Sequence, residues 1–320
     1  DAAGSNVGAL QPAAPANEAK PQDAACALLD NAKVRGMMSG MFETKLLIAC
    51  GRQSELGQVK SQDTFGGEAI QGLAPLLGTD VLVNDPTLDT SGTSHTQSET
   101  SLTRNETNGT LCSAYNDSYS GVTQGIGYTG FSRSTDGGAT WSDRGAIPQG
   151  GGGQSFGDPS VVWRKTDGAF YITTLHDSGL GLWKSTNDCD TFTWVGLVHS
   201  GSGDDKELMA IDNNPASPYY GRMYVAWTNF NVGGGTIQGT YSTNGGTTWS
   251  AAINLNTSGD DVQGAWPYTA PSGDVFVAWV RWTPYPSGPI DIQVVRSTNG
   301  GTSYAPVTNP LTGGINPQAS

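Results

Sequence analysis

The sequence has little charge and less positive charge: charged residues make up 14% of the 320 positions, with 16 Lys and Arg against 29 Asp and Glu. Coiled coils and charge-driven disorder fit that composition poorly. The net charge of −13 repels phosphate backbones, so nucleic acid is excluded as a partner. No run of about 18 apolar residues occurs, so no transmembrane helix is expected. The four cysteines, Cys26, Cys50, Cys112 and Cys189, form no C-x-x-C pair, which argues against structural zinc and dithiol redox chemistry. Only three histidines are present (His95, His176, His199) and G-x-S-x-G is missing, so a serine triad is unsupported. The run Gly150 to Gly153 lacks the Lys-Ser/Thr of a phosphate loop and reads as a connection. The first residues, Asp1-Ala2-Ala3-Gly4, carry neither Met nor an apolar signal core, as expected of a mature secreted protein.

Glycine is abundant, at 45 residues, and its placement suggests many tight turns. Residues 1–22 are rich in Ala, Pro, Asn and Gln without an apolar period and read as a linker or disordered tail. Residues 23–78 read as an N-terminal helical segment. Its apolar residues between Ala24 and Gly57, among them Leu28, Leu29, Val34, Met37, Met38, Met41, Leu46 and Leu47, recur at i+3/i+4 spacing for one or two helices. Cys26 and Cys50 bracket that stretch and could close a disulfide loop or remain two buried thiols. From residue 79 onward short β-branched and aromatic runs alternate with polar turns, the pattern of an all-β domain.

Four segments of that domain align. They begin at Ser134, Ser185, Ser242 and Ser297, and read S-T-D-G-G-A-T-W, S-T-N-D-C-D-T-F, S-T-N-G-G-T-T-W and S-T-N-G-G-T-S-Y. Their starts are 51, 57 and 55 residues apart, close to the length of one four-stranded propeller blade. A second element repeats in phase: Gly109, Gly168, Gly221 and Gly273 each open an apolar strand, with an aromatic or Cys112 three residues on. Cys112 therefore reads as a buried, inert thiol. Asp80 to Asn84 reads as a strand able to close a blade, and a fifth blade is expected to begin near Ala305.

The S-x-D-x-G-x-T-W pattern resembles the Asp-box, or BNR, repeat of the sialidase-like β-propellers, over residues 79–320. Ser134 to Trp141 fits in full; the other copies carry Asn for Asp, and the second also has Cys189 for Gly and Phe192 for Trp. The resemblance implies an all-β propeller of four-stranded blades, four visible and six in an intact ring, with the boxes away from the ligand face. First strands starting at that face would bring Glu99, Asp158, Lys206 and Gln263 to the central axis. The ends of the second strands would add Asp117, His176, Asn229, Arg281 and Trp282 as an outer ring of ligand-binding groups. Trp266 and Tyr268 offer flat faces on which sugars stack.

The resemblance also implies a sialidase's arginine triad, Arg-Ile-Pro motif and Tyr/Glu nucleophile pair, and here the sequence departs from it. There is no Arg-Ile-Pro, and only Arg281 falls on the site rim. The leading expectation is therefore a secreted or cell-surface propeller that binds glycan or an extracellular protein, without evident catalysis. The alternative is an exo-glycosidase with Asp158 as acid/base and Glu99 as its partner. No cofactor is required by either; calcium, held by Asp204-Asp205 or Asp260-Asp261 with backbone carbonyls, is the one ion the sequence offers a place for. A third expectation is an assembly role in which the N-terminal helices dock the propeller to a partner.

Overall fold

A computed structural model of the protein describes residues 21–56, 81–88, 97–257 and 259–308. The expected tail lies outside the described residues except for Pro21 and Gln22, which open the first helix.

Where one or two helices were expected, the described residues hold three short ones, α1 (Pro21–Asp30), α2 (Ala32–Met37) and α3 (Gly40–Ala49); residues 57–78 of the expected segment lie outside the described residues. Asn31 caps α2 by accepting from the Lys33 and Val34 amides, and Ser39 caps α3 by accepting from Phe42. Each side chain thus fills donors that a helix start leaves unpaired. Cys26 and Cys50 are bonded, tying α1 to the end of α3. Arg35 bridges Glu43 and Glu55, and Arg52 bridges Asp30 and Glu55, so the same hairpin is also laced by ion pairs.

Four antiparallel sheets follow, each a simple up-and-down meander. The first comprises β1 (Gln97–Arg104), β2 (Leu111–Asp117), β3 (Thr129–Ser134) and β4 (Ser142–Ala146). The second comprises β5 (Ser160–Arg164), β6 (Ala169–His176), β7 (Gly179–Ser185) and β8 (Thr193–Ser200). The third holds β9 (Asp204–Ile211), β10 (Met223–Asn229), β11 (Thr236–Ser242) and β12 (Ile253–Asn254), and the fourth β13 (Asp261–Thr269), β14 (Val275–Trp282) and β15 (Ile290–Ser297). Ala305 and Thr308 bond back to Arg296 and Val294, so this stretch runs along β15 as the outer edge of the fourth sheet and does not open a fifth. Val81 to Asn84 forms no strand either; it lies against the first sheet, where Asn84 donates to Gln97 and the Asp85 amide to Asp143.

The first strands stand side by side in chain order, β1 against β5, β5 against β9 and β9 against β13. Successive sheets therefore pack face to face around one axis. Cys112, Ala114 and Phe131 of the first sheet meet Trp163, Ile172 and Trp183 of the second. Tyr171, Leu180 and Leu182 meet Met209, Val225 and Trp227, and Ala226 and Ile237 meet Val262, Val277 and Trp279. Burial of these aliphatic and aromatic groups, at about 25 cal/mol per Å² of apolar surface, is the main force holding blade to blade.

Cys112 is not a free thiol. It is bonded to Cys189, with Cα atoms 5.8 Å apart, because packing the second blade on the first carries the turn holding Cys189 onto β2. The four repeated turns share one hydrogen-bond scheme. The leading Ser hydroxyl donates to the Asp or Asn two residues on and accepts an amide four residues on. That Asp or Asn accepts a second amide, from Thr140, Thr191, Thr248 or Ser303. The left-handed backbone after it is taken by Gly137–Gly138, Gly245–Gly246 and Gly300–Gly301, and in the second copy by Asp188 and Cys189.

Asp136 differs from its Asn counterparts by titrating. Hydrogen bonds from the Thr140 hydroxyl and amide pull its carboxyl down to about 2 from an ordinary 3.8. A carboxyl depressed in the fold stabilises it above 3.8, and that contribution fades as pH falls toward 2. Asp136→Asn, which copies the other three turns, should leave the melting temperature near pH 6 unchanged and flatten its decline between pH 4 and 2. Melting curves across that range check this; an unaltered acid slope would refute it.

Candidate functional site at the propeller axis

Three first strands carry a non-glycine residue in the left-handed region within two residues of their start: Glu99 at φ 51°, Asp158 at 54° and Lys206 at 50°. Non-glycine residues there are strained, and three at equivalent places around one axis mark a site. The strand ladders slip at these points, between Ser98 and Ser101 in β1 and opposite Ala226 to Thr228 in β9. A bulge of this kind re-aims a side chain. In the fourth blade the slip falls between Gln263 and Trp266, and the left-handed residue is Gly264, at φ 75°.

The register of the fourth blade is thus one residue away from expectation. Gln263 does not face the axis with the other three; it is buried one position earlier, donating to the Met37 carbonyl and Asp205 and accepting from the Thr228 hydroxyl. The bulge moves the equivalent position to a glycine, which has no side chain to offer.

Glu99, Asp158 and Lys206 line one cavity of about 490 Å³, walled by residues 99–102, 158–161, 206–209, 264, 266 and 267 from the four first strands and their starts. Lys206 Nζ donates to Glu99 Oε2 at 2.7 Å. Asp158 is only 5% exposed and neither carboxyl oxygen has a hydrogen-bond donor, although it lies within hydrogen-bonding reach of Glu99. Two carboxyls in contact cannot both be ionised at low cost. Burial, then the Glu99 contact, pushes Asp158 well above the usual carboxylate range. Burial also acts upward on Glu99, but the bond to Asp158 and the Lys206 charge outweigh it and hold Glu99 low. Burial lowers Lys206, and the Asp158 and Glu99 charges more than reverse this, so it stays cationic. The two carboxyls are thus driven apart, Asp158 holding its proton to higher pH than an ordinary carboxyl and Glu99 losing its own at lower pH, beside the Lys206 ammonium. Trp266, 65% exposed, closes one side of the same cavity.

The remaining candidates are not among the residues that line the cavity. His176 is buried between the Gly150 carbonyl and the Ser178 amide and packs beside Trp183 and Trp194. Asp117 accepts the Ser120 amide, and Asn229 bonds Gln238 and the Asn231 amide. Arg281 is taken by both oxygens of Asp291, and Trp282 stands edge-on to Tyr285. These are loop-fixing and strand-fixing contacts. Their polarity was legible in the sequence; the partners that occupy it were not.

The helices explain part of this. They sit on the face where the first strands start and the second strands end. The Ser39 amide and hydroxyl donate to the two oxygens of Asp205, Tyr285 donates to the Gly36 carbonyl, Lys33 pairs with Asp261, and Phe42 stacks on Phe230 at 6.1 Å. The acidic pairs read as a place for calcium are engaged by donors. Asp204 bonds His199 and Trp227, Asp205 bonds Ser39 and Gln263, Asp261 takes Lys33 and the Tyr285 amide, and Asp260 takes Asn256. The sequence signal missed was Ser39, whose place before an apolar helix marks a cap but not that the cap docks on a carboxylate.

No protein-family model matches the chain, and no curated protein does. Solved structures are similar in fold. The GH93 α-L-arabinofuranosidase of Fusarium graminearum, solved with arabinobiose, superposes with a TM-score of 0.54 at 10% identity, covering 74% of this chain and 72% of that one. The α-L-arabinanase of Penicillium chrysogenum, also complexed with arabinobiose, gives 0.53 at 13% identity over 69% of each chain. The intramolecular trans-sialidase of Ruminococcus gnavus gives 0.51 at 13% identity, over 69% of this chain and 71% of that one. Face-to-face meander sheets about an axis, with these neighbours, establish the chain as a sialidase-like β-propeller fold with a short N-terminal helical segment.

Proposed function

We propose that the protein is a secreted carbohydrate-binding propeller whose ligand enters the axial cavity. The observation that carries this reading is the convergence of Glu99, Asp158 and Lys206 from three blades on one cavity walled by an exposed Trp266. A flat indole beside clustered hydrogen-bonding groups suits the mixed apolar and polar surface of a sugar ring, and the volume lies within the roughly 300–1,000 Å³ of small-molecule sites. The two disulfides fit an oxidising compartment. The fold neighbours named above act on or bind saccharides, which supports the class of ligand and does not identify it.

Hydrolysis is the second reading, favoured by the contrast between an Asp158 pushed up and a Glu99 held down, the divergence expected of an acid and a base in one pocket. Against it stands their contact. Glycosidase carboxyls flank the scissile bond at about 5–10 Å, and a pair within hydrogen-bonding reach leaves no room for a sugar between them.

A glycan array and a hydrolysis screen on the same panel test both. Binding without turnover is expected. Trp266→Ala should weaken that binding about tenfold or more with little change in melting temperature, since the ring is largely exposed. Turnover that Asp158→Asn abolishes would replace the binding reading with the hydrolytic one, and an array with no saccharide bound and no turnover would remove both.

A further inference from the structure

The charges at the axis do not balance. Around Asp158 stand Glu99, Asp205 and a single amine, Lys206, already committed to Glu99. Arg281, the cation expected on the rim, is spent on Asp291. Sugar acids would meet two carboxyls and, among the described residues, no free cation. Meanwhile the two oxygens of Asp158, nine-tenths buried on the cavity wall, have no donor at all. A buried acceptor without a donor is costly and is a standing place for a ligand's N–H groups.

We propose that the axial cavity selects a saccharide carrying a free primary amine, whose ammonium group is bound by the Asp158–Glu99 carboxyl pair. This rests on the axial reading of the site. The ligand arrives as R–NH3+ and keeps its three protons. Any proton that Asp158 holds passes to solvent, so that its oxygens accept from the ammonium while Lys206 continues to neutralise Glu99. Up to one proton therefore leaves for each ligand bound. The desolvation that favours the neutral form of Asp158 in the free protein is offset in the complex by the second cation. Charge-assisted N–H···O bonds of this kind exceed neutral ones in strength, and a hydroxyl or acetamide at the same carbon cannot supply them.

The test uses the full chain and matched sets of saccharides that differ at one carbon only, bearing amine, hydroxyl or acetamide on the same gluco and galacto backbones. Titration calorimetry at pH 6 in two buffers of different ionisation enthalpy reads affinity and proton release together. At least one set should favour the amine by about tenfold or more, with net proton release on binding. Asp158→Asn, whose side chain tolerates the left-handed backbone there, should abolish the proton release and reduce the amine preference severalfold. Glu99→Gln should weaken the same preference, which guards against a folding defect in the first variant. Amine members that bind no better than their partners in every set would overturn the inference and leave the axial site standing. The same holds if the preference survives in Asp158→Asn. No binding by any member, together with a blank array, would remove the axial reading as well.

Discussion

The paired substitution Cys112→Ala and Cys189→Gly should lower the unfolding free energy by ~3 kcal/mol. The bond spans a sequence separation of 77 residues and ties the first blade to the second. Freeing a loop of that size returns to the unfolded chain an entropy worth ~4.5 kcal/mol. Part of this is recovered at position 189. Cys189 sits at φ 61°, where the other complete turns carry glycine, and relieving a strained left-handed residue is worth ~1–2 kcal/mol. Glycine there restores the turn used by Gly138, Gly246 and Gly301. The check is urea unfolding with and without reductant. The oxidised parent should unfold at clearly higher urea than the variant, and the reduced parent should fall to or below the variant's midpoint. A variant whose midpoint matches the oxidised parent would show that blade packing alone holds this interface. A smaller loss is expected for the bond between Cys26 and Cys50, because its loop is shorter, at a separation of 24.

The propeller was legible because its signal is local. A Ser hydroxyl that reaches two and four residues ahead, a left-handed pair and a plugging aromatic all lie within eight residues, so four copies declare four blades before any long-range contact is known. Glu99, Asp158 and Lys206 were legible for the same reason, as polar residues opening strands in phase with that repeat. The errors have one common cause, since each depended on something arriving from elsewhere in the chain. Gln263 was misplaced because a bulge shifts β13 by one residue, and β-strand register inverts faces at every step. Cys112 and Cys189 each looked like substitutions within their own repeat and meet only when two blades pack. The outer ring of His176, Asn229 and Arg281 was assigned to ligand binding, although loop amides, Gln238 and Asp291 occupy those groups. The helices gave their own apolar pattern but no sign of the face they cover, because Ser39 and Asp205, which dock them, are 166 residues apart.

Lys45→Met should stabilise the fold by ~1–4 kcal/mol near pH 6, the range seen when buried charged groups are replaced together with their partners by apolar side chains of similar volume, since Lys45 has no bonded partner to strand. Lys45 projects from α3 into the second and third blades, is almost wholly buried, and its ammonium has no hydrogen-bond partner. The charged groups around it are Asp204, Glu207, Asp177 and Asp205. Asp204 is already served by His199 and Trp227, and Asp205 by Ser39 and Gln263. Glu207 is itself buried without a donor on either oxygen, and burial pushes its carboxyl well above the usual range. Burial drives the Lys45 pKa down from 10.5, more than the surrounding carboxylates raise it. An amine depressed in the fold binds fewer protons there than in the unfolded chain, so stability rises with pH between the folded value and 10.5. The advantage of methionine should accordingly be largest at neutral and mildly acid pH and shrink as pH approaches 10.5. Glu207→Gln probes the partner with the opposite slope. A carboxyl raised in the fold costs stability as pH climbs from 4.5 toward its folded value, and glutamine removes that decline. Thermal melts of both single variants and the double variant between pH 5 and 10 decide the matter. Additive gains show two separate desolvated groups; a loss of 3 kcal/mol or more in Lys45→Met, relieved by adding Glu207→Gln, would mean that the two act as an ion pair and that α3 is held to the propeller through their charge.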